Sequence, residues 1–387
     1  MKSNKTKIIY IAHSGGLQGA GFALLNIING LPRSIIEPTV ILPSKGELYK
    51  RLVKLNVKCY IIRCYNETYP RICSLKDIFM YIPRMIRTKI VNSEAINKLS
   101  KIVEKESPDA IHTNTGVIRY GNWVAKKYQI PHFWHIREYQ LKDSDYNPLG
   151  GLKKLQRLFQ DHNNHCIAIT KGLFDFAGLN DKYDTVIYDG VFSEVFEPKP
   201  VTSKQKYFLF CGALTESKGV YEVIDAFQNI SEYIPEYQLL LAGQDIDNVQ
   251  KYLKEHKYSD KIVILGFRDD VYDLMSNAIA LIVSSKCEGF GFISVEAMLN
   301  KTLVIGKNTA GLKEQFDNGL ELTGEDIGYR YVSQKELESH MLHLTSEDIA
   351  YQKPMIDRAY NSVRRLYSIE TNIKMLINFY SKFIDLK

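Results

Sequence analysis

The sequence predicts an α/β protein with parallel sheets, on three observations. Short apolar runs alternate with stretches of helical spacing through most of the chain, the pattern of strands joined by crossover helices. Two of the runs end in glycine-bearing loops that open a helix, at residues 14–21 and 284–292. A chain of 387 residues exceeds one typical domain, so two or three are expected. Charge divides accordingly. Residues 1–190 carry 28 Lys and Arg against 16 Asp and Glu, and residues 191–387 carry 22 against 28.

A hydrophobic content of 45% supports a real core. No apolar run reaches the roughly 18 residues of a membrane span, and the basic start, Met1–Lys7, is followed by only six residues, Ile8–His13, before the glycines, too short for a signal peptide. Six cysteines without a C-x-x-C pair read as reduced core thiols. A cytoplasmic protein is expected. The basic first half suggests an anionic partner such as lipid phosphate or the inner face of the plasma membrane. No nucleic-acid motif accompanies it.

Lys7–His13 reads as a buried strand, followed by the loop Ser14–Gly21 and a helix over Phe22–Leu31. Backbone amides of that loop, with Gly15 and Gly16, suit an anion. Leu24 stands where a dinucleotide fingerprint needs its third glycine, which speaks against a nicotinamide site. Strands are expected at Thr39–Leu42 and Cys59–Arg63, with a helix at Leu48–Leu55 between them. Over Ser74–Arg87, apolar residues fall at helical spacing among Lys76, Arg84 and Arg87. Such a basic amphipathic helix could rest on a membrane or pack on its own sheet, and Pro83 should kink it. Pro131–Glu138 is a further strand. Asp143-Ser144-Asp145 matches a metal-binding D-x-D but lies in a polar stretch with no strand before it, so no metal is assigned. Residues 196–203 have linker composition.

Tyr207–Cys211 opens a second series of strands, with Tyr237–Gly243, Ile262–Leu265, Ala280–Val283 and Thr302–Ile305. The most informative segment is Ser284 to Met298. Two serines and a loop carrying Glu288, Gly289, Phe290, Gly291 and Phe292 lead into a helix carrying Glu296. Helix-terminal amides and two carboxylates eight residues apart suit an elongated polyhydroxylated ligand. Phe-Gly-Phe in a turn has no evident packing need.

This segment resembles the Glu-x7-Glu motif of the family 4 retaining glycosyltransferases, in the form E-G-F-G-x-x-x-x-E-A-M. The resemblance covers nearly the whole chain and is most specific over residues 205–300. It implies a GT-B fold, two doubly wound Rossmann-like domains facing a cleft. Residues 1–190 would be the acceptor side and 191–368 the nucleotide-sugar side, with 369–387 a terminal helix crossing back. By resemblance Glu288 lies at the donor sugar, Glu296 at the ribose and His135 beside the sugar. Gly15 and Gly16 face the diphosphate. The family's G-R-L…K-G pattern maps onto Gly212 and Lys218, with Ala213 in place of the arginine. Arg268, in the loop that meets the nucleotide base, is the candidate to replace it. Asp189-Gly190-Val191 resembles the family's N-G-V step, with Asp for Asn. The implied activity is transfer of a sugar from a UDP- or GDP-sugar to a saccharide or lipid-linked acceptor, without metal or other cofactor, in envelope polysaccharide synthesis. A nucleotide-sugar 2-epimerase on the same fold, or a non-catalytic nucleotide-binding subunit, are the alternatives.

Overall fold

The structure, a computed structural model, describes residues 5–140, 146–201, 203–254, 257–346 and 349–387. Its internal contacts fall into two units, one formed by Met1–Phe192 with Ile369–Lys387, the other by Ser193–Ser368.

The first unit holds strands β1 (Thr6–Ile11), β2 (Ile36–Leu42), β3 (Lys58–Ile61), β4 (Thr68–Pro70), β5 (Ala110–Thr113), β6 (His132–Ile136), β7 (Tyr146–Pro148), β8 (Asn164–Ala168) and β9 (Thr185–Val186). Seven of them form one sheet in the order β3-β2-β1-β5-β6-β8-β9, every pair parallel. Its central strands are buried on both faces, with all five residues of β6 hidden, as parallel sheets require. β4 and β7 make a separate antiparallel ladder.

Strand order reverses between β1 and β5, and ligands gather at the carboxyl ends of strands at such a switch. The terminal helix, Ile369–Tyr380, belongs to this unit. Ile373, Leu376 and Phe379 join the core under β1 and β2, and Ile369 packs where a Cβ on Gly30 or Gly190 would collide with it.

The amphipathic stretch begins a helix that runs from Leu75 to Glu106, past the residues where helical spacing is evident in the sequence. Its later turns bury Ala95, Leu99 and Val103 against the sheet. Ser74 caps its start by accepting from the Asp77 amide at 3.2 Å. Pro83 lies inside it; lacking an N–H, it cannot make the i to i−4 bond to the Phe79 carbonyl.

The second unit holds β10 (Tyr207–Cys211), β11 (Gln238–Ala242), β12 (Ile262–Gly266), β13 (Ala280–Val283), β14 (Leu303–Lys307) and β15 (Tyr329–Tyr331). They form a parallel sheet in the order β12-β11-β10-β13-β14-β15. Here the reversal falls between β10 and β13. Val220, Val223, Ile224 and Phe227, four positions of one helical face, fill the core on one side. Among the described residues no helix is long and apolar enough to cross a membrane.

Candidate functional site

In the second unit the residues singled out by sequence cluster at the switch. Loop 212–219 follows β10 and loop 284–291 follows β13, and the two loops are bonded together. The Lys286 amide donates to the Ser217 carbonyl at 3.0 Å. The Ser284 hydroxyl lies 2.8 Å from the Lys218 carbonyl and 3.1 Å from that of Gly219. Gly219 sits at φ +75°, where a Cβ would come within 2.2 Å of the Ser284 carbonyl oxygen, so only glycine allows this approach.

The consequence is a charge cluster. Lys218 Nζ stands 2.5 Å from Glu288 Oε1, and the Ser285 hydroxyl donates to the same oxygen at 2.7 Å. Lys218 and Glu288 are 70 residues apart in sequence and meet because their strands are neighbours. A carboxylate able to accept from hydroxyls thus touches an ammonium able to hold phosphate oxygen.

Behind this pair, Gly291 at φ +93° turns the chain into the helix Phe292–Leu299. That helix start is fixed by Gln315, whose amide donates to the carbonyls of Phe290 at 2.7 Å and Gly291 at 3.0 Å. The amide of Gly311 donates to the Glu288 carbonyl at 3.0 Å, and Gly289 lies against Gly311. The Phe-Gly-Phe reading needs correction. Phe290 is buried, edge-on to Phe292 at 5.7 Å and to Tyr367 at 5.2 Å between ring centroids. Its side chain serves packing.

Glu296 lies one turn further along the helix. Burial pushes its carboxyl up to about 7, opposed by the Tyr272 hydroxyl, which donates to it at 3.4 Å. It also faces β10: burial first, then the Glu296 charge, push the Cys211 thiol up to about 12. Glu296 therefore spans from the β13 side of the switch to the β10 side. Tyr272 and Gln315 carry no motif signal, since their partners lie 24 and 25 residues away.

Arg268, the candidate to take the place of the arginine at Ala213, lies in the loop after β12. Its guanidinium is paired with its neighbour Asp270, Nε to Oδ1 at 2.7 Å. Gly212 follows β10 directly, and its amide donates to the Ala242 carbonyl at 2.9 Å. Among the loop 212–219 side chains, Lys218 is the only cation.

In the first unit the β1–β5 switch is lined by His13, the Gly15–Gly16 loop and residues 114–119. Gly15 packs against Ser44, 2.6 Å from where its Cβ would be to the Ser44 carbonyl, so this glycine has a structural reason. Gly16 donates its amide to Ser14 Oγ at 3.1 Å. A cavity of about 740 Å³ opens beside them, lined by His13, Gln18, Tyr65, Arg84, Arg87, Glu138 and others. Burial, with Arg137 adding to it, lowers the His13 imidazole to about 4. His13 could have been found as a polar residue between a strand and a glycine loop.

His135 is placed differently from the expectation of a sugar-facing group. β6 is covered on both faces, and the imidazole is fully buried. Its Nδ1 lies 2.7 Å from His112 Nε2, and His112 in turn bonds Tyr380 of the terminal helix. Nε2 of His135 is buried without a partner among the described residues. Burial and the nearby Arg137 hold both imidazoles well below their usual range, so they are neutral. Arg137 pairs with Asp189, both buried, and its Nε donates to the Asn114 carbonyl at 3.0 Å. Asp143-Ser144-Asp145 lies outside the described residues. Among the described residues no group of three or more metal-capable side chains occurs.

Residues 191–361 match the family described as glycosyl transferases group 1. An uncharacterized glycosyltransferase of Methanocaldococcus jannaschii is 28% identical over 72% of this chain and 80% of its own. The N-acetyl-alpha-D-glucosaminyl L-malate synthase of Bacillus anthracis is 25% identical over 68% and 71%. Among solved structures, HepE of Anabaena in complex with UDP and glucose superposes with a TM-score of 0.74 at 19% identity, covering 98% of this chain and 100% of that one. WaaG, a glycosyltransferase involved in lipopolysaccharide biosynthesis, gives 0.68 at 13% over 96% and 99%. The chain has the GT-B fold.

Proposed function

We propose, from the match of residues 191–361 to the glycosyl transferases group 1 family, that this chain is a retaining glycosyltransferase using a nucleotide-sugar donor. The observation that carries this reading is the Lys218–Glu288 pair at 2.5 Å, held where strand order reverses in the second sheet. Solved neighbours on the same fold carry UDP and UDP-glucose in their crystals, which supports the donor class.

In this reading Glu288 accepts from donor-sugar hydroxyls and fixes the anomeric carbon. Glu296 accepts from the ribose hydroxyls. Lys218, with amides of loops 212–219 and 284–291, meets the charge that develops on the departing diphosphate. Preorganised donors of this kind stabilise a leaving group electrostatically, so the reaction is proposed to need no metal. No carboxylate is assigned as a nucleophile, and front-face attack by the acceptor hydroxyl is the proposed retaining route. His135, buried behind the strand end, is a positioning residue in this scheme. The acceptor is a saccharide or lipid-linked saccharide of the cell envelope. The domain roles follow, with the second unit holding donor and the first holding acceptor.

Glu288→Ala tests it. The variant should melt like the parent, because the side chain is not part of the apolar core, yet lose donor turnover by at least about a hundredfold. Near-parental turnover contradicts the assignment. Conversion of UDP-N-acetylglucosamine to its 2-epimer with no acceptor present would select the epimerase reading instead.

A further inference from the structure

The first four turns of the helix Leu75–Glu106 carry an apolar face that is exposed among the described residues. Leu75, Phe79, Ile82, Ile86 and Ile90 recur at spacings of four, three, four and four, which puts them on one side of a helix. All five are at least half exposed, from 50% at Ile86 to 77% at Phe79. The stripe is about 22 Å long at the helical rise. Its neighbours on the helix, Tyr81 and Met85, turn inward, Tyr81 packing edge-on against Tyr69 with centroids 4.7 Å apart. The helix is therefore already docked on its proper side, and the apolar stripe is an additional face.

Cations border that stripe: at helical spacing Lys76 and Arg87 fall on one side of it and Lys89 on the other, with Arg84 on the far face toward the cavity; none of the four forms an ion pair among the described residues. Arg87 is steadied over the Tyr65 ring, 4.7 Å from its centroid, and Arg63 donates to the Tyr65 hydroxyl at 2.7 Å. The one acidic side chain of these turns, Asp77, is used at the helix start, accepting from the Ser74 hydroxyl at 2.8 Å. A long contiguous apolar face is uncommon on a free surface. An apolar face with unpaired cations at its borders suits the interface of a bilayer, where the ring and aliphatic side chains enter the acyl boundary and the cations meet phosphates. Two copies of the same face would bring like charges together, which disfavours self-association.

We infer that residues Leu75–Ile90 lie in the surface of an anionic membrane. Arg87, at the border of the stripe, also lines the first unit's 740 Å³ cavity, so this placement sets lipid head groups beside that cavity. An acceptor carried by a lipid phosphate would then be presented to it. The surface binding itself needs no donor and stands apart from the proposed transfer activity.

The experiment is co-sedimentation of the full chain with vesicles of phosphatidylcholine, alone or with about 30% phosphatidylglycerol. The parent should sediment with the anionic vesicles and much less with the neutral ones, and about 0.5 M salt should weaken the binding several-fold. Phe79→Asp with Ile86→Asp should lower partition at least about tenfold without changing the melting temperature, both side chains being exposed. Lys76→Glu with Lys89→Glu should reduce binding to anionic vesicles only. A parent that ignores both vesicle types, binds both equally, or is matched by both double variants overturns the inference. So does a parent dimer that Phe79→Asp with Ile86→Asp turns into a monomer without any vesicle binding. Titration of UDP on the same preparations reads the donor site separately.

Discussion

Arg137 and Asp189 face each other with side chains 4% and 2% exposed, so neither charge can turn to water if the other is lost. Breaking a buried pair from one side costs about 3–5 kcal/mol. Arg137→Met should therefore lower unfolding free energy by about that much, and Asp189→Asn should be nearly as damaging, because it leaves the guanidinium unmatched. Replacing both with apolar residues should recover much of the loss. Denaturant unfolding of the three variants checks this, and strictly additive losses would contradict it. Sequence comparison marks Asp189 only as a departure from an asparagine. The structure gives the reason, since β6 delivers Arg137 to it from 52 residues away.

Glu296 makes a second prediction at the same scale. Its carboxyl is raised from 4.5 to about 7 by burial, so the folded state holds that proton more tightly than the unfolded chain. The stability it contributes is fully present below about 4.5 and is lost as pH climbs through about 7. A ribose-binding role requires the ionised form. Affinity for a nucleotide sugar, whose esterified diphosphate does not titrate in this window, should rise between pH 6 and 8. In Glu296→Gln that rise should disappear. Calorimetric titration across the range decides, and an equal slope in both proteins removes Glu296 from the ribose.

At the scale of elements, the two bonded loops at the β10–β13 switch act as one unit. Gly219 is where they touch. Gly219→Ala adds a left-handed strain of about 1–2 kcal/mol to a clash with the Ser284 carbonyl. It should cost more than about 2 kcal/mol of stability and weaken nucleotide binding as Lys218 is displaced. An unchanged melting temperature would contradict the close packing described. This region was readable in the sequence because function imposes its residues locally: strand, glycine loop, helix. What the sequence did not show is non-local. Phe290 looked like a ligand contact because Tyr367, its packing partner, lies far along the chain. The long helix was read only as far as its exposed, basic half, since Ala95, Leu99 and Val103 are spaced among many polar residues. His135 was placed by family likeness on a strand whose burial on both faces only the sheet order reveals.

Across the whole molecule, both sheets reverse strand order, and in each the glycine-bearing loop follows the strand at the reversal. The alternation of strands and helices was enough to predict the parallel α/β class, because crossover connections leave few other arrangements. The sheet orders themselves were not legible, since they depend on which strands pair across 70 residues or more.

The central claim is that the β10–β13 switch holds a nucleoside diphosphate through Lys218, beside a sugar held by Glu288. Calorimetric titration of UDP and GDP into the parent, Lys218→Ala and Ala213→Arg measures it most directly. One nucleotide should bind the parent. Lys218→Ala should weaken it by at least about tenfold, the value of one charged hydrogen bond, and Ala213→Arg should tighten it by adding the second cation. Neither nucleotide binding the parent, or both variants binding as the parent does, would contradict the account.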